Sequence, residues 1–232
     1  MIKKLYVLSF ICLFISKINA QDTAVKEGTE VAGKEVKSYL VKDFPEGVYK
    51  TYEDFIAKTG IFMGDALERR TIVGYKSIEK SVDAYHVFFC WKRNNAKITD
   101  YFAVVYNGNL YIQQRYLMKF ASKEDGNMSA DNPNSYHRVL NDGKFLYLEG
   151  PFANLWSKAF AYNGGAVGGA IAANLNTLKG IVFNVDKKEF NFIRECENLN
   201  ALIEEYNGVK IECKDKKVDI LTVRENVDKI IK

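Results

Sequence analysis

The residue types best suited to nucleophilic catalysis are few in this chain. It has two histidines, His86 and His137, and Cys90 follows His86 by four positions. Four residues of a β-strand span about 13 Å, so His86 and Cys90 on one strand cannot form a hydrogen-bonded pair. A pair formed by Cys90 and His137 across two strands is left open. Otherwise we expect His86 on a mostly buried strand and His137 to be a half-exposed strand residue.

No recognised reaction motif is present. The chain lacks the Gly-x-Ser-x-Gly, His-Glu-x-x-His and Cys-x-x-Cys patterns. Four polar residues alternate like the first half of a calcium-binding EF-hand loop: Asp125, Asn127, Ser129 and Asp131. However, Ala130 stands where this loop needs glycine and Tyr136 where it needs glutamate. We therefore predict a polar connection between strands, and we assign no catalytic, cofactor-binding or metal-binding residue.

Tyrosines are frequent in the segments that alternate like β-strands. They include Tyr85, Tyr101, Tyr106, Tyr111, Tyr116 and Tyr147. Such residues can line a ligand-binding face of a sheet, but they also suit strands in general. Packing in the core or across strands is the favoured interpretation.

A glycine-rich stretch, Gly164–Ala173, lies within a long uncharged interval. In a helix its small residues would form two adjacent rows: Gly164, Gly168 and Ala172, and Gly165, Gly169 and Ala173. These rows allow another backbone to approach closely, which predicts a buried helix that crosses the sheet. The same spacing also serves membrane association or self-association. A ligand-binding loop is the third interpretation, although neither Gly-Lys-Ser/Thr nor Gly-x-Gly-x-x-Gly occurs.

The start of the chain predicts export. Lys3 and Lys4 precede an apolar run from Leu5 to Ile15, and Ala20 provides a small residue for cleavage. This pattern is typical of a secretory signal peptide, so we expect residues 1–20 to be removed after Ala20. The mature protein would be periplasmic or secreted. Residues 21–43 are then a polar linker or lead-in, and residues 44–232 form a single domain.

Charge argues against a nucleic-acid partner. Loss of Lys3, Lys4 and Lys17 with the signal peptide lowers the formal net charge from +4 to +1. Basic and acidic residues are interspersed, and no basic patch with stacking aromatics stands out. Three cysteines remain after cleavage, and in an oxidising compartment two of them can pair; whether they do is left open. Cys90 suits a buried strand, whereas Cys196 and Cys213 flank a helix and could close a loop.

Turn and helix patterns predict an α+β domain with an antiparallel β-sheet built from hairpins. Three hairpins are predicted, around Asn107-Gly108, around Asp142-Gly143 and around residues 186–188. Thr51 and Asp54 predict a capped short helix before them. The Gly/Ala-rich central helix and two C-terminal helices, around Leu199–Tyr206 and Ile220–Ile230, complete the expected fold. A short strand is predicted between these two helices, at Val209–Cys213.

Four short segments resemble a group of uncharacterised exported proteins of Gram-negative bacteria. Phe44–Phe55, Phe-Pro-Glu-Gly-Val-Tyr-Lys-Thr-Tyr-Glu-Asp-Phe, is similar to their opening. Cys196–Asn200, Lys216–Ile220 and Val223-Arg224-Glu225 are similar to their C-terminal ends. The resemblance implies an exported protein and assigns no activity and no site residues.

The expected function is therefore non-enzymatic binding or interaction in the cell envelope, with an envelope protein or a small ligand as partner and with no cofactor. One alternative is a membrane-associated or self-assembling component that uses Gly164–Ala173, through a peripheral membrane contact or a second copy. The other alternative is an enzyme of unrecognised type, which would bring Cys90, His137 and an acid together in a cleft.

Overall fold

Two antiparallel sheets and the helices beside them make up the part of the chain that the structure describes. The structure is a computed structural model, and it describes residues 37–72, 86–126, 128–129, 132–154 and 178–232. The predicted signal peptide, residues 21–36 and Gly164–Ala173 lie outside the described residues. All described residues belong to one compact unit.

Twelve strands and four α-helices are found in these ranges. The strands are β1 (Gly47–Tyr49), β2 (Leu67–Thr71), β3 (His86–Trp91), β4 (Ala103–Tyr106), β5 (Asn109–Gln113), β6 (Met128–Ser129), β7 (Tyr136–Arg138), β8 (Asn141–Asp142), β9 (Leu146–Gly150), β10 (Ala153–Asn154), β11 (Lys179–Asn184) and β12 (Glu189–Ile193). The helices are α1 (Tyr52–Ile56), α2 (Gln114–Lys119), α3 (Cys196–Glu205) and α4 (Ile220–Ile230). The α+β class, the antiparallel sheets and the two C-terminal helices are confirmed.

The strands form a six-stranded sheet in the order β1-β4-β5-β7-β3-β2 and a four-stranded sheet in the order β12-β11-β9-β8. A further pair joins β6 and β10. One apolar cluster contains residues of both large sheets, among them Val105, Ile112, Leu148 and Phe183, so the sheets pack face to face. The opposite face of the four-stranded sheet packs against α3 and α4 through Tyr147, Val182, Leu202 and Val223.

Local chemistry explains the first and third hairpins and the capped helix. Asn107 and Gly108 both have positive φ, 52° and 70°, as the type I′ turn between β4 and β5 requires. The hairpin of β11 and β12 pairs Lys179–Asn184 with Glu189–Ile193 as predicted. Thr51 and Asp54 form the expected capping box at the start of α1.

One strand prediction is correct only in part and another is wrong. A hairpin does form around Gly143, since β8 pairs with β9, but residues 136–138 are not part of it because β7 belongs to the six-stranded sheet. The chain crosses between the sheets at Val139 and Leu140. Val209–Cys213 is not a strand, and Val209 is 89% exposed. The side chain of Asn200 takes the place of a partner strand there, since it bonds both the N–H and the carbonyl of Ile211.

The disulfide between Cys196 and Cys213 is present, with the two Cα atoms 5.8 Å apart. It ties the loop after α3 back to the start of that helix. Cys90 is a buried free thiol on β3, as the sequence predicts. Burial raises the pKa of the Cys90 thiol, which favours the unreactive protonated form.

Candidate ligand-binding cleft

A cleft of about 170 Å³ lies between α3 and the strands β11 and β12. We call it the α3–β12 cleft. Its apolar walls include Val182, Ile193 and Leu202. Nine polar residues also line it: Ser122, Glu124, Asp125, Asn184, Asn191, Arg194, Asn198, Glu205 and Tyr206. It thus combines an apolar surface with several hydrogen-bonding groups, as small-molecule sites do.

Asp125 forms one end of the cleft because the chain after α2 runs along the outer edge of β12. Phe190 exchanges backbone hydrogen bonds with this segment: its N–H donates to Phe120 and its carbonyl accepts from Ser122. Asp125 continues the pattern with its side chain, whose Oδ2 accepts from the N–H of Phe192 at 2.9 Å and from the Ser122 hydroxyl at 3.0 Å. The carboxylate is therefore held in place and almost completely buried.

The cations at the cleft are neutralised within the protein. Arg194 Nη2 lies 2.9 Å from Oδ1 of Asp125, and the arginine side chain is 34% exposed. Beside the cleft, Nζ of Lys187 lies 2.6 Å from Oε1 of Glu205, and Glu205 lines the cleft. Each positive charge thus already has a carboxylate partner, and the one polar atom of these two cations that is buried without a hydrogen-bond partner among the described residues is Nε of Arg194.

Neutral polar groups remain available in the cleft. Asn198 uses its oxygen to accept from the N–H groups of Arg194 and Glu195 at the start of α3. Asn191 uses its amide nitrogen, which donates to Glu189. Within the part of the chain that the structure describes, the Asn198 amide nitrogen and the Asn191 oxygen have no hydrogen-bond partner. The cleft therefore offers at least one neutral donor and one neutral acceptor to a ligand.

Tyr206 adds a hydroxyl donor. Its oxygen accepts from the amide nitrogen of Asn184 at 3.4 Å, and its ring packs against Phe145. Burial, together with the charges of Glu205 and Asp186, raises the pKa of Tyr206 to about 12. The hydroxyl therefore keeps its proton at neutral pH and can donate it to a ligand.

The two histidines come together, but Cys90 does not join them. His86 and His137 are directly opposite on β3 and β7, and their rings stack. The Nδ1 of His137 bonds the carbonyl of Glu149, and its Nε2 has no hydrogen-bond partner among the described residues. In the strand register, Cys90 lies opposite Glu68 of β2 and not opposite a histidine. His137 is completely buried, so the prediction of a half-exposed residue is wrong.

A serine that the sequence did not single out completes this cluster. His86 Nε2 lies 2.7 Å from the hydroxyl oxygen of Ser135, which is the spacing of a nucleophile and its base. Yet Ser135 is completely buried, and its oxygen also contacts Gln114 and the carbonyl of Asn132. These contacts hold the turn before β7. The geometry favours a structural role, because a substrate has no access to the hydroxyl.

The tyrosines predicted from the sequence pack in the core. Tyr111 and Tyr147 are buried, and Tyr101, Tyr106 and Tyr116 pack at the margins of apolar clusters. The favoured packing interpretation is thus confirmed for these residues, whereas Tyr85 lies outside the described residues. Of the alternating polar residues weighed as a calcium loop, Asp125 bonds the edge of β12, whereas Asn127 and Asp131 lie outside the described residues. In the described ranges no group of three or more His, Cys, Asp and Glu side chains is placed to bind a metal.

Comparisons of the chain with protein-family models, with curated proteins and with solved structures give no match. None of the helices in the described ranges is long and apolar enough to cross a bilayer.

Proposed function

We propose that the protein is exported and acts in the periplasm or outside the cell, where it binds a small ligand in the α3–β12 cleft without transforming it. The disulfide between Cys196 and Cys213 supports export, because such bonds persist in oxidising compartments. The basic and apolar N-terminal pattern that ends at Ala20 supports the same proposal.

The observation that carries the binding proposal is the set of unfilled neutral groups beside apolar walls. Asn198 offers a donor and Asn191 an acceptor in one cleft, both residues are half-buried, and neither atom has a partner among the described residues, so a ligand can pair with them. Binding without catalysis is favoured because the one serine–histidine contact described lies away from the cleft and is buried.

Thermal unfolding of the mature protein with a library of sugars, amino acids, nucleosides, organic acids and amines tests this function. A ligand at about 100 times its dissociation constant stabilises by about 2.7 kcal/mol, which raises the Tm by several degrees. Ala201, an exposed residue of α3, lines the cleft, and Ala201→Trp should abolish the shift by filling the space. Glu204→Trp, on α3 outside the cleft lining, should keep it. A library without any hit, or a shift that survives Ala201→Trp, contradicts the proposal.

Export has a separate test. Intact-mass measurement of the protein from the periplasm or the medium should give a chain that begins at Gln21. A chain that retains Met1–Ala20 contradicts export by a cleaved signal peptide. Self-association or membrane contact through Gly164–Ala173 stays a prediction, and sedimentation of Gly168→Leu beside the parent protein checks it.

A further inference from the structure

We infer that the α3–β12 cleft binds one neutral, hydroxyl-rich ring of a carbohydrate. This inference rests on the proposed function and specifies the chemical class of the ligand. It follows from the size of the cleft, from the pairing of its charges and from the kind of groups left unfilled.

The size limits the ligand to one small unit. Typical sites for drug-sized molecules have volumes of about 300–1,000 Å³, whereas this cleft measures about 170 Å³. Exposed residues such as Glu124 and Ala201 are part of its lining, so the cleft is open to solvent and any further units attached to the ring would lie outside it.

The charges disfavour an ionised ligand. Arg194 is paired with Asp125, and Lys187 with Glu205. An anion would have to compete with these carboxylates and would also meet the exposed Glu124 in the lining. A cation would find the buried carboxylate of Asp125 already occupied by the N–H of Phe192, by Ser122 and by Arg194. Removing an ion from water without a new partner is costly, so a neutral ligand is preferred.

The unfilled groups suit hydroxyls. A hydroxyl both donates and accepts, so the hydroxyls of a ring suit an acceptor such as the Asn191 oxygen as well as a donor such as the Asn198 amide nitrogen or the Tyr206 hydroxyl. Val182 and Leu202 provide an apolar surface for the C–H face of the ring. Amino acids and nucleotides lack this combination, because each carries an ionised group.

Saturation-transfer NMR on the mature protein tests the inference with four forms of one ring. The probes are methyl β-glucoside and N-acetylglucosamine, which are neutral, glucosamine as the cation and glucuronate as the anion. We expect transfer to the neutral rings, with affinity about tenfold higher than for either charged form. Ala201→Trp should abolish this transfer, Asn191→Ala should weaken it about five- to tenfold, and Glu204→Trp should leave it unchanged.

The outcomes separate the two proposals. Stronger transfer to glucosamine or glucuronate that Ala201→Trp abolishes overturns the neutral-ring inference and leaves the cleft as a binding site. The same holds if the thermal screen returns a ligand that is not a carbohydrate and that Ala201→Trp blocks. If no sugar and no library compound depends on the cleft, both proposals are overturned. Circular dichroism of each variant establishes that lost binding is not lost folding, and Asn191→Ala provides the test if Ala201→Trp does not fold.

Discussion

His137 lies directly opposite His86 in the pairing of β3 with β7, and the centroids of their rings are 3.9 Å apart. Phe152 packs on the same imidazole with a centroid distance of 5.1 Å. Burial, and to a smaller extent the nearby His86, hold the pKa of His137 well below its usual value of 6.5. The hydrogen bond to the carbonyl of Glu149 opposes this shift but does not cancel it. His137 is therefore neutral in the folded protein at neutral pH.

We expect stability to fall on acidification because of this residue. Below about pH 6.5 the unfolded chain protonates His137 and the folded protein does not, so stabilisation present above that pH is lost as the pH falls. The contribution of His137 to the change of the free energy of unfolding with pH approaches about 1.4 kcal/mol per pH unit. His137→Asn should have a lower free energy of unfolding at pH 7, but this free energy should fall less steeply than in the parent as the pH is lowered. Denaturant unfolding of both proteins between about pH 7.5 and 5 measures it. Equal slopes would contradict the assignment.

The disulfide should contribute strongly to stability. In the chain-entropy estimate, a cross-link over this separation of 17 residues stabilises by about 3 kcal/mol. Cys213→Ser should lower the free energy of unfolding by about 2–4 kcal/mol. Thiol counting on unfolded, non-reduced mature protein should find Cys90 alone. Three reactive thiols would show that the bond is not formed.

Arg224 supports a buried carboxylate. Its Nε and Nη2 each donate to Glu149 at 2.7 Å, and the Tyr147 hydroxyl donates to the same carboxylate at 2.9 Å. Arg224→Ala should cost about 2–3 kcal/mol, less than a fully buried pair would, since the arginine side chain is 46% exposed. Arg224→Lys should cost less but not be neutral, because lysine cannot form two parallel bonds. Urea unfolding measures both, and an Arg224→Ala variant as stable as the parent refutes the prediction.

Gly108 provides a test of backbone conformation alone. Its φ is +70°, and a Cβ atom at this position would meet nothing within 4 Å. Gly108→Ala should therefore cost about 1–2 kcal/mol, purely from the left-handed conformation. Gly126 is the matched control, because its φ of −58° suits alanine and its nearest contact to a Cβ would be an ordinary 3.6 Å. Gly126→Ala should be neutral or slightly stabilising. Equal effects of the two changes on the Tm would be inconsistent with this explanation.

Features that depend on neighbouring residues were predictable from the sequence. The capping box of Thr51 and Asp54 and the turn at Asn107-Gly108 each need only a few adjacent residues. The apolar spacing of α3 and α4 likewise identifies their buried faces. In contrast, the alternation in residues 136–148 fits one hairpin as well as two strands in different sheets. Which of the two arrangements forms depends on the pairing of β7 with β5 and of β8 with β9. A local sequence pattern does not indicate these partners.

The cleft could not be predicted for a similar reason. Its polar groups come from the segment after α2, from β11, from β12 and from α3. Each of its asparagines also has a local role: Asn198 caps α3, Asn191 donates to Glu189, and Asn184 accepts from Lys187 in the turn after β11. Only the packing of α3 beside β12 brings them together. The burial of His137 was also hidden, because Glu149 and Phe152 cover it only through the packing of the two sheets, which no local pattern indicates.

The position of Asp125 has a consequence for how folded molecules behave towards one another. Phe120, Ser122 and Asp125 together occupy the outward N–H and carbonyl groups of Phe190 and the N–H of Phe192 on β12. An open edge of this kind is a template on which a strand of another molecule can add, which is how fibrils begin. Asp125→Ala would free the Phe192 N–H, so we expect the variant to aggregate sooner than the parent in a thioflavin assay. We therefore expect the Asp125 carboxylate to limit the addition of further strands at the edge of the four-stranded sheet.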